Sequence, residues 1–487
     1  MSRNNDTLWR PRLHFTPQKG WMNDPCGPMY WNGEYHLFYQ YNPDSNGWGP
    51  MHWGHAVSSD MFGWQELPIP LRPDKNGMIY TGSTVFDRYN HSGLFDERGG
   101  LVALYTSHLE DPQKANPIEC QRLAYSRDAY HWSKLNGEAV LPNDGSRDFR
   151  DPKVFYHEST ERWIMVLSVG SEVRFYASLD LQRWQYLSTF GAELESHDVV
   201  WECPDLFYLP VSNSHSDGRW ILITHVGKGL PSELSGAQYF VGHFDGETFQ
   251  AHQPPKWVDK GHDFYAAQSW ANLPVQYERT IWIAWASHWT YSHDTPTEQW
   301  RGVLTLPRQL GLVKAGEQFV LAQSPVRELQ DLRKRSILGQ LIQNNSSATI
   351  DFPIQRDEAL DLLIQPWAGN SIRTELDFGN NRLLTMKLNG STGRVTVDRG
   401  KCGLEQYSKS FHPCSSARPE FKNNRTPGGD IRLIWDRSII EVFAHGGILV
   451  FTDLAFVPTP LRAIRVKTLG NTQPAQVFLY ELKKNGS

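Results

Sequence analysis

Five short segments of this chain resemble one another: EYHLFYQY (34–41), LVALYTSH (101–108), RWIMVLSV (162–169), RWILITHV (219–226) and TIWIAWAS (280–287). Each is rich in aromatic and β-branched residues, reads as a strand, and follows its predecessor by roughly 60 residues. Such a period constrains the fold more than composition does, because each repeat is one supersecondary unit that buries its faces against the next. A second repeat runs between the first: Ser58-x-Asp60-x-x-x-Trp64 returns as Ser126/Asp128/Trp132 and Ser178/Asp180/Trp184, and more weakly around Asp245 and Phe249. Asp and Ser at such spacing accept backbone N–H groups in turns, and the aromatic residue packs between units. About 60 residues suffice for four antiparallel strands with their turns, and no long helical pattern intervenes. A five-bladed β-propeller is therefore expected over residues 11–323.

The propeller pattern fades near Leu321. Ser324-Pro325-Val326-Arg327-Glu328-Leu329 reads as a capped helix start, with Val326, Leu329 and Leu332 at helical spacing, which predicts a helical linker over 324–339. Short alternating strands then return (TELDFG, LLTMKLNG, GRVTVDRG), separated by turn residues, and predict a β-sandwich over 340–483. The whole is an all-β chain. Its 19 Trp, 19 Tyr and 23 Phe suit blades that pack against blades.

With 48 Lys plus Arg against 53 Asp plus Glu, the net charge of −5 disfavours nucleic acid as a partner. The one compact basic run, Arg333-Lys334-Arg335, reads as a solvated helix face. No stretch approaches the roughly 20 apolar residues of a membrane span, so no membrane association is expected. The start, MSRNNDTLWRPRLHF, has no apolar core of a signal peptide, which favours the cytoplasm unless the sequence is a processed, secreted form. Glycosylation sequons at Asn5, Asn90, Asn344, Asn345, Asn389, Asn424 and Asn485 weigh the other way. Five Cys show no metal-like spacing, and pairing of Cys402 with Cys414 is left open. His52-x-x-His55 has no third ligand near it, so no metal is expected.

Three acids occupy similar places in three repeats: Asp24 in WMNDPCGPMY, Asp151 in FRDPKVFY and Glu202 in WECPDLFY. Each precedes a Pro by one or two residues, and a short apolar strand and a repeat strand follow. Asn-Asp-Pro and Arg-Asp-Pro are ordinary turn starters when taken singly. In register across a propeller, three acids at the start of innermost strands converge on one mouth of the central channel. Grouped carboxylates are costly unless protonated, paired or used.

These residues carry a resemblance. Trp21-Met22-Asn23-Asp24-Pro25-x-Gly27, Arg150-Asp151-Pro152 and Glu202-Cys203-Pro204 resemble the three signature motifs of glycoside hydrolase family 32, which contains invertases, inulinases, levanases and fructosyltransferases. HFTPQKG (14–20), DFYAAQSW (263–270) and the sandwich segment DRSIIEVF (436–443) extend the likeness over nearly the whole chain. The resemblance implies a propeller followed by a sandwich and a retaining β-fructofuranosidase acting on sucrose and fructo-oligosaccharides, possible transfer included. It implies Asp24 as nucleophile, Glu202 as acid/base, and Asp151 as holder of two fructosyl hydroxyls with Arg150 beside it. Trp21, Met22, Asn23, Gln40, Trp48, Tyr80, Thr81 and Trp289 fall where the family lines its fructose pocket. No cofactor is implied, and a homodimer is compatible. Retention calls for two carboxyls about 5–5.5 Å apart, and the role requires Glu202 to start protonated. Cys26 stands where the family more often has Asn, which bears on hydrolysis against transfer. A fructosyltransferase, an arabinan-cleaving propeller glycosidase and a silent fructan-binding protein are the rivals. The arabinan enzymes typically lack WMNDPxG and the sandwich, and a silent protein should have lost an acid.

Overall fold

In a computed structural model, residues 7–113, 116–193, 199–212, 217–228, 236–274, 279–341, 349–354, 358–366, 369–402, 407–408, 410–420, 429–469 and 475–483 are described. Five sheets, each built on four antiparallel strands, come first, over residues 20–71, 78–134, 149–190, 200–257 and 265–325. These are the blades of the propeller. Their innermost strands are Gly20–Trp31, Met78–Asp87, Phe149–His157, Val200–Pro210 and Tyr265–Ser269, and each touches the next, the fifth returning to the first. Trp300–Arg301 leaves the fifth blade and pairs in parallel with Gly20 and Trp21, closing the ring. All five recurrent segments are second strands of blades. Those of blades 1, 3 and 5 are buried almost throughout, since a neighbouring blade covers each face.

The Ser-x-Asp repeat forms the turn between third and fourth strands. Asp60 Oδ1 accepts the N–H groups of Phe62 and Gly63 at 2.9 and 2.7 Å, and Asp128 and Asp180 do the same for Tyr130 and His131 and for Gln182 and Arg183. The residue after each Asp (Met61, Ala129 or Leu181) has a φ of 67°, 67° or 59°. That left-handed geometry costs a non-glycine residue roughly 1–2 kcal/mol, which the carboxylate caps offset. Trp132 and Trp184 then donate their indole N–H to the carbonyls of Ala129 and Leu181, so these rings lock the turn as well as pack.

Two six-stranded sheets follow, one ordered Arg333–Leu341, Ala475–Leu482, Ala359–Gln365, Ile431–Asp436, Ile439–Ala444, Leu449–Leu454, the other running from Thr349–Pro353 to Cys414–Ala417. Leu362, Ile372, Met386, Leu433, Val466 and Leu479 belong to the core between them. The expected helical linker over 324–339 is corrected. The chain makes a single 3₁₀ stretch, Arg327–Leu332, between a strand ending at Pro325 and one beginning at Arg333. Val326, Leu329 and Leu332 are all buried, and their strict spacing of three matches the three-residue 3₁₀ turn, not the 3.6-residue α turn. The basic run thus lies at the start of a strand, where Arg333 pairs with Asp361 at 2.7 Å. No disulfide joins any of the five cysteines, Cys402 and Cys414 included. Of the sequons, Asn90 and Asn389 are described and Asn5, Asn344, Asn345, Asn424 and Asn485 lie outside the described residues.

A buried ionic network joins the two domains. Arg308 of the last blade reaches Asp259 and, across the boundary, Glu441, each at 3.1 Å. Arg399 of the sandwich reaches back to Asp263 at 2.6 Å. His14 lies between Asp436 and Glu441, at 2.9 and 3.1 Å.

Candidate active site

Every innermost strand carries the same irregularity, two residues opposite one on the second strand. The pairs are 23–24 opposite Gln40, 80–81 opposite Thr106, 151–152 opposite Leu167, 203–204 opposite Thr224, and 266–267 opposite Ala284. A bulge re-aims the side chains around it, and repeating it five times turns them toward one mouth of the channel. Asp151, Cys203 and Ala266, each first in its pair, hold φ values of 67°, 47° and 53°. The acids are not in strict register, as the sequence pattern suggested. Asp24 is second in its bulge, Asp151 first, and Glu202 stands one residue before.

Three residues that precede a bulge in successive blades form a row. Arg150 donates from Nη2 and Nε to Glu202 Oε1 at 3.0 and 3.3 Å, and the Tyr265 phenol donates to Glu202 Oε2. Glu119 and Asp148 hold Arg150 from behind, at 3.3 and 2.7 Å. Beside this row, Asp24 Oδ2 accepts hydrogen bonds from Thr81 Oγ1 at 2.9 Å and Cys203 Sγ at 3.3 Å. Asp24 Oδ1 is buried and has no hydrogen-bond partner among the described residues. Asp151 Oδ2 accepts the Cys203 N–H at 2.9 Å, and the Asp151 N–H donates to Thr106 Oγ1 at 2.9 Å. Burial, then the charge of Glu202, lift Asp24 to about 6, with the Asn23, Thr81 and Cys203 side chains pulling the other way. Burial likewise lifts Asp151 to about 7, against the pull of Arg150 and with the charges of Glu202 and Asp24 adding to it. Burial first, and the Glu202 charge second, hold Tyr265 protonated as a donor.

The remaining candidates surround this cluster in layers. Asn23, Gln40 and Thr81 are buried beside or opposite Asp24, and Gln40 donates to Cys26 Sγ at 3.5 Å. Trp48 is 39% exposed and meets Tyr80 edge-on at 5.9 Å, while Tyr80 stacks on His108 at 4.2 Å. Trp289 packs edge-on against Trp285 at 4.8 Å. Trp21 and Met22 are fully buried next to Asn23, and Trp21 donates to Asn23 Oδ1 at 2.8 Å. Tyr265 and Cys203 were not singled out from the sequence. Tyr265 takes the Glu202 position, one residue before the bulge, only when DFYAAQSW is shifted by one residue against WECPDLFY, a shift that the strand pairing supplies and the sequence does not.

A propeller channel carrying a bare carboxylate oxygen, a second carboxyl gripped by a guanidinium and a phenol, and exposed or half-buried aromatic rings defines a glycoside hydrolase. The chain belongs to glycosyl hydrolase family 32: the family's N-terminal domain matches residues 14–325 and its C-terminal domain residues 328–478. A levanase of Bacillus subtilis (strain 168) is 38% identical over 98% of this chain and 71% of its own length. An extracellular exo-inulinase of Meyerozyma guilliermondii is 34% identical over 92% of this chain and 90% of its own. Among solved structures, exo-inulinase from Aspergillus awamori superposes with a TM-score of 0.88 at 29% identity, covering 98% of each chain. Fructofuranosidase from Schwanniomyces occidentalis, complexed with fructose, gives 0.87 at 29% identity over 99% of this chain and 100% of its own.

Proposed function

We propose that this chain is a retaining β-fructofuranosidase that releases terminal fructosyl units from sucrose and fructo-oligosaccharides, and transfers some of them to sugar acceptors when sugar is abundant. The observation that carries the reading is Asp24 Oδ1, a buried oxygen without a hydrogen-bond partner among the described residues, whose twin is held by Thr81 and Cys203. A held carboxylate with one bare oxygen suits attack on an anomeric carbon. Glu202 delivers a proton to the leaving oxygen as the C–O bond breaks, and a fructosyl ester forms on Asp24. Glu202 then takes the proton of the water, or of a sugar hydroxyl, that cleaves the ester. Asp151 accepts hydrogen bonds from ring hydroxyls, which strengthen as positive charge spreads over the ring. The levanase and inulinase relatives support fructans as the wider substrate class.

The test is incubation with sucrose, inulin and levan, with products separated by chromatography and the first-formed fructose anomer read by NMR. Free fructose released as the β-anomer is expected, with trisaccharide at high sucrose. An inverted anomer would end the double-displacement scheme. Binding without turnover would make the chain a fructan-binding protein instead.

A further inference from the structure

The fourth strand of blade 2 is only Ser133–Lys134, whereas that of blade 3 runs over Gln185–Phe190. Blade 2 therefore leaves part of the facing flank of blade 3 uncovered, and a cleft of about 490 Å³ opens at the seam. Tyr176 and Tyr186 line it as an edge-to-face pair with centroids 5.8 Å apart, Tyr176 buried and Tyr186 53% exposed. Along the same cleft runs a row of planar charged groups. Arg174 donates from Nε to Glu172 and from Nη1 to Asp144, both at 2.9 Å. The two carboxylates remain 20% and 55% exposed at the side chain, and both line the cleft.

The cleft runs along the seam, and one end of it reaches the face of the catalytic mouth. Phe149, which lines that end, is followed by Arg150, the residue that grips Glu202. Strand register gives its direction: Phe149 pairs with Val169 and Val169 with Glu172 at the mouth end of blade 3, while Tyr176 pairs with Tyr186 further along, toward the turn that carries Trp184.

Aromatic ring beside fixed carboxylate and guanidinium is the chemistry that recognises a neutral polyhydroxylated ring. Its C–H face packs on the aromatic surface, and its vicinal hydroxyls bridge adjacent planar groups. Two carboxylates around one guanidinium leave the row net negative, which selects against an anionic ligand. We propose that this cleft is a second, non-catalytic carbohydrate site that holds a distal stretch of a fructan chain whose end enters the channel. It rests on the fructan-cleaving reading above, and serves polymer but not sucrose.

The full chain carrying Asp24→Asn serves as the binding form, compared with the double variant Asp24→Asn/Tyr186→Ala in gels cast with inulin or levan. Loss of the Tyr186 ring is expected to weaken retardation by about three- to tenfold. In the active enzyme, Tyr186→Ala should lower kcat/KM on inulin by a similar factor while sucrose turnover, which also reports folding, is unchanged. Equal retardation of the two forms, with polymer turnover intact, overturns the second site. If the natural protein cleaves none of the three sugars, it is the proposed function that fails. Normal cleavage with indifferent gels sinks the cleft alone.

Discussion

The channel mouth and the propeller–sandwich interface are both buried acidic regions, yet they treat their charges oppositely. At the interface, Asp259, Asp263, Asp436, Glu441 and Asp453 meet Arg308, Arg399 and His14. Burial opposes a charged His14, but the hydrogen bonds and charges of Asp436 and Glu441 outweigh it and raise the ring to about 9. Burial also opposes ionised Asp436 and Glu441, yet His14 and Arg308 leave both below the usual carboxylate range. Asp453, lifted to about 7 chiefly by burial, and Asp259, also raised by burial, are the exceptions, and their oxygens are occupied by Ser415 and by Arg308 and Thr452. At the mouth, Asp24, Asp151 and Glu202 share one guanidinium, that of Arg150, and Asp24 and Asp151 are both pushed up. Buried charges that are matched hold a fold together, while those left unmatched are available for chemistry.

The sharpest break between the regions is expected from their simplest variants. Glu202→Gln and Asp24→Asn should each cut kcat on sucrose by about 10² to 10⁴ or more while leaving Tm at or above that of the natural protein. Near-normal turnover by either would dissolve the assignment. Arg308→Met should do the reverse. It strands Asp259 and Glu441 in the interface, and breaking a buried pair in this way costs about 3–5 kcal/mol, read as a fall in urea midpoint with kcat at 25 °C preserved. An unchanged midpoint would mean that the network is not what joins the domains.

The contrast also has a pH signature. Asp24 and Asp151 have folded pKa values above those of the unfolded chain, so the native state binds more protons. Their contribution to stability is present below about pH 4 and is lost as pH rises through 6 to 7. Asp436 and Glu441 are held low, so theirs is present above about pH 4 and lost as pH falls. The His14 contribution is full below about pH 6.5 and disappears as pH rises through 9. The Tm advantage of Asp24→Asn should therefore be small near pH 4 and grow toward pH 7. A difference independent of pH would contradict the frustrated-site view. Activity follows the same group, since Asp24 attacks as the anion, and kcat/KM should fall on the acid side of about pH 6.

Tyr265 refines the comparison from within the site. Its phenol donates to Glu202 Oε2 and so orients the carboxyl proposed as acid/base. Tyr265→Phe should lower kcat about tenfold and hold KM for sucrose, because a donor that orients the Glu202 carboxyl is lost. An unchanged kcat, or a loss carried by KM alone, would make Tyr265 packing only.

Much of this was legible in the chain because it rests on repetition. The five second strands announce themselves as apolar runs since both faces are buried, and the Ser-x-Asp turn repeats its own hydrogen bonds. The acids could be found because Pro follows each at the bulge. The bulge itself was hidden, as it is a matter of pairing between strands. The interface could not be read at all. His14 and Asp436 lie 422 residues apart, and neither has a local pattern that calls for the other. At the connector, a spacing of three fits either kind of helix in sequence, and the 3₁₀ turn satisfies it better.

The smallest effect is expected at Cys26, two residues after Asp24, where the family more often has Asn. Its side chain is fully buried, packed with Phe38 and Trp53, and its S–H points at the Asp24 carbonyl at 3.5 Å. Burial pushes the thiol far up, so it stays neutral. It therefore touches the pocket from behind, through the Gln40 amide that donates to its sulfur at 3.5 Å and through Thr81 beside it. In Cys26→Asn a carboxamide oxygen could accept from Gln40 at about 2.9 Å, a firmer hold than sulfur offers, at the expense of fitting a larger polar group among aromatic rings. Gln40 faces the bulge that carries Asp24, so its firmness bears on whether water or sugar reaches the fructosyl ester. The ratio of trisaccharide to free fructose at several hundred millimolar sucrose should shift by less than about tenfold, equivalent to under 1.4 kcal/mol. In a Gln40→Ala background the same Cys26→Asn exchange should leave the ratio where it stands, because the link has been cut. A shift that persists without Gln40 would mean that Cys26 acts through Thr81 or the Asp24 backbone instead, and no shift in either background would remove Cys26 from acceptor choice.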